Sequence, residues 1–257
     1  MDRALSIIAA ILIQEANERG MAMCDIWKEQ QPKPVRLLAM GLGVRGQQAA
    51  EEGKRQLPAV PFCMLQDSEP QMTELLSRAD VIYLAAGVEE SSIVAQIGKQ
   101  AQKTGTLILW SPGKLEKVRF LPLPGSVLVQ SGLRMGEEMQ ALAELLGTAN
   151  VIATLDQHKL LQRLLGARRI NMVLVEVSGG AKRENIAHQL ADQGWRMPDE
   201  GTLVMNIGAS IDCHLEEMVE LWNELVKQTS GADVLWGASF HTGKIDTLRL
   251  ILLAVGL

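Results

Sequence analysis

From residue 35 to residue 155 the chain repeats one pattern, a short apolar run followed by a stretch with helical composition. The apolar runs are residues 35–40, 60–65, 80–86, 106–110, 127–130 and 150–155. Residues 47–56, 71–77, 91–103 and 136–146 carry the Ala, Glu, Gln and Lys/Arg content of helices. A run that is apolar along its whole length fits a strand buried on both faces. Strands of that kind, joined by helices, form a parallel sheet with helices on either side. The first half is therefore expected to be α/β and Rossmann-like.

The second half has a different rhythm. Residues 157–177 are long, apolar on several faces and free of proline, and read as one central helix weakened at Gly166. Ser178, Gly179 and Gly180 would end it, because glycine readily takes the left-handed cap. A helix at 184–193, a strand at 202–207, a helix at 215–228 and strands at 233–240 and 247–255 follow. This predicts four parts: an N-terminal helical extension (1–34), a Rossmann-like domain (35–156), the central helix (157–178) and a smaller α+β domain (179–257).

Several function classes are disfavoured by composition. The net charge is −5 with no long basic run, so nucleic acid is not the expected partner. Cys24, Cys63 and Cys213 are odd in number and widely spaced, which fits neither a disulfide framework nor a CxxC metal site. Cys213-His214 alone does not make a zinc site, and no metal is expected. A reducing, cytoplasmic setting follows. Residues 4–13 (ALSIIAAILI) are too short to span a bilayer. They are read as a helix packed on the domain, with a peripheral membrane or partner contact as the alternative.

One motif stands out chemically. Gly41-Leu42-Gly43-Val44-Arg45-Gly46 follows a strand and precedes a helix, the context in which GxGxxG brings backbone N–H groups to a phosphate. Asp67 lies 21 residues beyond Gly46, where a dinucleotide-binding chain keeps its ribose-binding acid. A nicotinamide-dependent oxidoreductase is thus one reading, although no catalytic Lys, His or Tyr placement accompanies it. The bland reading is a tight strand-to-helix turn.

A series of collinear blocks carries a more specific resemblance. Ala232-Asp233-Val234-Leu235-Trp236-Gly237-Ala238 resembles A-N-I-I-F-G-A of FtsZ, and residues 248–257 resemble V-R-V-T-V-I-A-T-G-F. Leu190-Ala191-Asp192 and residues 201–208 are similar to its F-A-D and G-M-A-L-M-G-I-G. Residues 150–161 resemble D-T-L-I-V-I-P-N-D-K-L-L, and residues 79–87 (ADVIYLAAG) resemble A-D-M-V-F-I-A-A-G. Residues 60–72 are similar to the family's second strand and following loop, and residues 41–50 to its first glycine loop, G-V-G-G-G-G-G-N-A-V. The resemblance implies an FtsZ/tubulin-type fold, with Gly41, Gly43, Arg45, Gly46, Gln48, Gly87, Ser91 and Ser92 where the family contacts nucleotide.

The same comparison shows what is missing. After Gly87 the family has G-G-G-T-G-T-G, whereas this chain has Val88, Glu89, Glu90, Ser91 and Ser92. Two carboxylates would repel a triphosphate, and the two serines suit a helix cap. His158 stands at the family's base-binding Asp. Gln189 replaces the first hydrolytic Asp and leaves Asp192 as the sole catalytic candidate. Leu257 falls where the family's core stops, so the linker and adaptor peptide that follow there are not expected. The resemblance thus implies a structural or regulatory protein without GTPase activity or cofactor. It would bind itself, FtsZ or another cytoskeletal or cell-division partner. A divergent GTP- or GDP-binding filament protein with slow hydrolysis is the alternative.

Overall fold

A computed structural model describes residues 35–56, 60–64, 69–113, 123–146, 151–153, 155–210, 212–229, 231–241 and 245–256. The expected extension at 1–34, with its apolar stretch at 4–13, and Asp67 lie outside these residues.

The first half follows the expected alternation. Its strands and helices are β1 (Leu37–Leu42), α1 (Gly43–Gln56), β2 (Phe62–Met64), α2 (Glu69–Arg78), β3 (Val81–Ala86), α3 (Ser91–Thr104), β4 (Leu107–Ser111), β5 (Val127–Ser131) and α4 (Met135–Leu146). A short 3-10 turn, Val88–Glu90, links β3 to α3. Strands β2-β1-β3-β4-β5 lie side by side, all parallel. Successive residues of β3 point to opposite faces, and both faces are buried. Val81, Tyr83 and Ala85 face α1 and α4, and Ile82, Leu84 and Ala86 face α2 and α3. Helix α3 stops at Gly105, which sits at φ 73 and returns its N–H to the Ala101 carbonyl.

The second half corrects one expectation. The stretch 157–177 is not one helix. Helix α5 covers only Gln157–Gly166, started by Asp156, whose carboxylate accepts from the Lys159 N–H at 2.9 Å. Ala167 is extended, and strand β7 (Arg169–Ser178) follows. Four β-branched residues between Ile170 and Val177 favour the pleated strand, which alternates buried and less buried positions. The remaining elements are β6 (Val151–Ala153), α6 (Lys182–Asp192), β8 (Thr202–Ser210), α7 (Leu215–Lys227), β9 (Asp233–His241) and β10 (Thr247–Gly256).

All ten described strands join one mixed sheet, in the order β2-β1-β3-β4-β5-β7-β10-β8-β9-β6. Helices α1, α4 and α5 cover one face. Helices α2 and α3 cover the other face of the first half, and α6 and α7 that of the second. The result is an α/β arrangement, a parallel Rossmann-like half followed by a smaller α+β half. Among the described residues, no helix is long and apolar enough to cross a membrane.

Two buried polar groups make testable demands. Arg249 on β10 is 8% exposed. Its Nη1 donates to Glu176 Oε2 at 3.1 Å, and its Nε faces Glu144 Oε2 of α4 at 3.0 Å as an ion pair. It thus ties α4 to the second half. Glu138 of α4 is 1% exposed and accepts from Tyr83 Oη at 2.7 Å and from Ser131 Oγ. Burial holds its carboxyl above the ordinary carboxylate range, although hydrogen bonds from Ser111, Ser131 and Tyr83 oppose that shift.

Replacing Arg249 by Ala removes the cation shared by Glu144 and Glu176 and should destabilise the protein by about 3 kcal/mol, read from the shift in denaturant midpoint. Because Glu138 binds its proton more tightly when folded, its contribution weakens as pH rises from about 4, the unfolded value, through the higher folded value. Glu138→Gln should flatten that dependence. Its stability relative to the wild type should improve between about pH 4 and pH 7, measured by urea unfolding at each pH.

Candidate functional site

The glycine turn is tighter than the motif suggested. Strand β1 runs straight into α1, with Gly41 and Leu42 in the strand and Gly43 the first helical residue. The helix expected at 47–56 therefore begins four residues earlier, and no open loop is left to wrap a phosphate. A Cβ on Gly46 would lie 2.1 Å from the Ala85 carbonyl oxygen of β3. One on Gly41 would lie 2.2 Å from the Gly46 carbonyl oxygen. Backbone packing by itself requires glycine at both positions.

Gly43 has a different neighbour. It sits at φ 67, and its Cβ position is 1.9 Å from Glu90 Oε1. The Glu90 carboxylate therefore lies directly on the start of α1, where a helix favours negative charge. Its second oxygen, Oε2, is buried and has no hydrogen-bond partner. The same thing happens at Gly87, whose Cβ position is 2.5 Å from the carboxylate of Glu89. The backbone makes this close: Glu90 N–H donates to the Gly87 carbonyl at 3.3 Å across the short turn. Two of the four glycines named from the sequence, Gly43 and Gly87, thus lie against the chain's own acids.

The other named residues scatter. Arg45 and Gln48 are exposed, and Val44 next to Arg45 is 73% exposed. Ser91 is half-buried and Ser92 is exposed. Neither caps α3: the helix already includes Ser91, and its cap residue is Glu90, without a side-chain cap bond. Asp192 is the exposed last residue of α6, with strand β7 and most of α6 between it and α5. Its neighbour Gln193 donates to the Leu174 carbonyl midway along β7. Strand β7 is four strands from β1, roughly 19 Å at ~4.8 Å per strand. One molecule does not bring Asp192 to the glycine turn.

The sequence reading missed a cluster on the same edge of the sheet. Cys213, Glu217 and Asp246 hold their ligand atoms within 4.8 Å of one another. Lys182, the first residue of α6 and 7% exposed, reaches in among them. Its ammonium is 2.9 Å from Glu217 Oε2 and also bonds Asp246 Oδ1. Burial alone would lower the Lys182 pKa, but the bonds to Asp246 and Glu217 outweigh it and hold it above its usual range. The Cys213 thiol donates to Glu217 Oε2 at 2.9 Å and is pushed up to about 12, by burial and by that carboxylate. A thiol held protonated is a poor nucleophile. The cluster is a lysine-centred ion network joining the loops after β7 and β8 to the one before β10. Only the Cys213/Glu217 spacing of one helical turn was legible; Lys182 and Asp246 arrive through the sheet.

On the opposite edge lies a cavity of about 710 Å³. Its lining includes Gly105, Pro124, Gly125, Leu165 and Arg168, at the N-terminal ends of β4, β5 and β7. None of the residues named from the sequence lines it.

No family model matches the sequence, and no curated protein matches it. Solved structures do. An empty FtsZ dimer from M. jannaschii aligns with a TM-score of 0.70 at 12% identity, over 90% of this chain and 91% of that one. GDP-bound CetZ1 from Haloferax volcanii aligns at 0.58 and 12% identity, over 86% and 94%. A GTPγS-form protofilament of TubZ from Bacillus thuringiensis serovar israelensis aligns at 0.55 and 11% identity, over 86% and 87%. The nicotinamide reading gains no support from these matches. Likeness over nearly the whole of each chain establishes that this protein has an FtsZ/tubulin-like fold.

Proposed function

We propose that the protein is an FtsZ-like structural or regulatory component of a cytoplasmic assembly, working through subunit contacts and without a nucleotide cycle. Its partner is a second copy, FtsZ or another cytoskeletal or cell-division protein. The observation that carries this reading is the Glu90 carboxylate seated on Gly43 at the start of α1. A phosphate brought there would meet that carboxylate. At 4 Å the repulsion between unit charges is about 1 kcal/mol in water and about 4 kcal/mol at the effective dielectric of a protein surface. It would also have to displace the side chain. The second glycine position is covered in the same way by Glu89.

Two further features support assembly over catalysis. Gln189 stands where the family that the sequence resembles has its first hydrolytic Asp, and so supplies no carboxylate beside Asp192. Opposite edges of the sheet also carry exposed apolar side chains, Val44 (73%) beside the turn and Leu165 (59%) at the cavity. Contacts between unlike edges generate open filaments when the rotation does not close. The related folds whose structures are described as a dimer and a protofilament are consistent with such use.

Sedimentation velocity over a range of protein concentrations, with and without Mg-GTP, tests this reading. The expected outcome is concentration-dependent association, or association with added FtsZ, that GTP leaves unchanged. Phosphate release should stay at the level of a protein-free blank. Saturable GTP binding with steady turnover would sink the proposal.

A further inference from the structure

We propose that residues 4–13 dock in the cavity at the N-terminal ends of β4, β5 and β7 of their own molecule, and so cover the edge that carries Leu165. The docking concerns a single molecule and goes beyond the assembly reading. Only its consequence, that Leu165 meets a neighbouring subunit once the segment leaves, rests on that reading.

The cavity suits an apolar guest. At about 710 Å³ it is as large as many sites that enclose a mainly apolar ligand. Leu107, Val127 and Ala167 form its buried wall, and Leu123, Pro124 and Leu165 stand nearer the solvent. The three wall residues belong to the apolar cluster on which Val35 and Leu37 pack. A guest there extends a core that the start of β1 already joins.

The chain enters the fold beside this cavity. The Arg36 N–H donates to Asp80 Oδ2 at 2.9 Å, and the Arg36 guanidinium pairs with the same carboxylate. The Asp80 carbonyl accepts from the N–H of Leu107, on the cavity wall, at 3.0 Å. Strand β1 is two strands from β4, roughly 10 Å at ~4.8 Å per strand. Residues 14–34 make a link of 21 residues, and a flexible chain of that length reaches roughly 25 Å. Such a tether holds the segment near its own cavity at an effective concentration of about a millimolar, so a second copy at micromolar concentration competes poorly.

The segment has the matching composition. Residues 4–13 (ALSIIAAILI) carry one polar side chain and no charge. Residues 114–122, which precede Leu123 and also lie outside the described residues, carry four charges in nine positions, Lys114, Glu116, Lys117 and Arg119. Burying those charges would forfeit their hydration, whereas burying 4–13 forfeits almost none. Glu15 and Glu18, just beyond the run, are opposite in sign to exposed Arg168 in the cavity lining.

Amide hydrogen exchange of the full chain at low micromolar concentration tests the docking. Ten residues do not hold a helix alone in water, so protection of 4–13 reports a docked segment. Wild-type residues 4–13 should be protected, and equally so after dilution by about a factor of ten. Leu165→Glu changes an exposed side chain and should speed exchange of 4–13 by about tenfold or more. Ile8→Glu should speed exchange at residues 105–107 and 125–127 in return.

Unprotected 4–13 in the wild type would overturn the proposal, as would protection that Leu165→Glu leaves intact. Protection lost on dilution would assign the cavity to a second copy. Protection gained only with phosphatidylglycerol vesicles would assign the segment to a membrane. Either result would also overturn docking within one molecule. None of these outcomes bears on whether association of the wild type ignores GTP, so the two readings fail separately.

Discussion

Strand β7 pairs in parallel with β5 on one side and antiparallel with β10 along its whole length on the other. That double pairing splices a parallel half and a mixed half into one ten-stranded sheet. It is stable because β7 buries apolar side chains on each face. Ile170 and Met172 pack with α5, and Val173, Val175 and Val177 pack under α6 and α7. Each fully buried aliphatic side chain contributes about 1.5–3 kcal/mol, so this strand is a large part of what joins the halves. Arg249 reinforces the joint by reaching from β10 to Glu144 on α4.

The joint also decides what sits where. Since β1, β3, β4, β5 and β7 all run the same way, the glycine turn, the acidic turn and the Lys182 network share one edge of the sheet. The cavity lies on the other edge. Ligands of open parallel sheets bind at the first of these edges, outside the carboxyl ends of the strands. In this chain both charged places on that edge are occupied by its own side chains. A carboxylate sits on the helix start, and an ammonium sits among the acids.

Much of this was legible in the residues. The parallel half could be read because both-face burial leaves continuous apolar strands such as residues 81–86. The glycines were correctly placed at a strand-to-helix junction, but their purpose was not visible. Gly41 and Gly46 serve contacts with carbonyl groups of β3 and α1, which sequence spacing does not reveal. The misread helix at 157–177 has a physical cause. A strand buried on both faces gives an apolar run that periodicity alone does not separate from a buried helix. The β-branched content of residues 170–177 and the extended Ala167 after Gly166 settle it in the fold. Glu89 and Glu90 were noted as repulsive to phosphate; that they lie against Gly87 and Gly43 depends on the short turn after Gly87.

The central claim is that the glycine turn is closed by the chain itself and has no use for nucleotide. Amide hydrogen exchange of the wild-type protein, with and without saturating Mg-GTP, reads that turn directly. The account predicts unchanged protection at residues 43–46 and 87–92. Slower exchange confined to those residues on adding GTP would mean that Glu90 yields its place to a phosphate, and would contradict it.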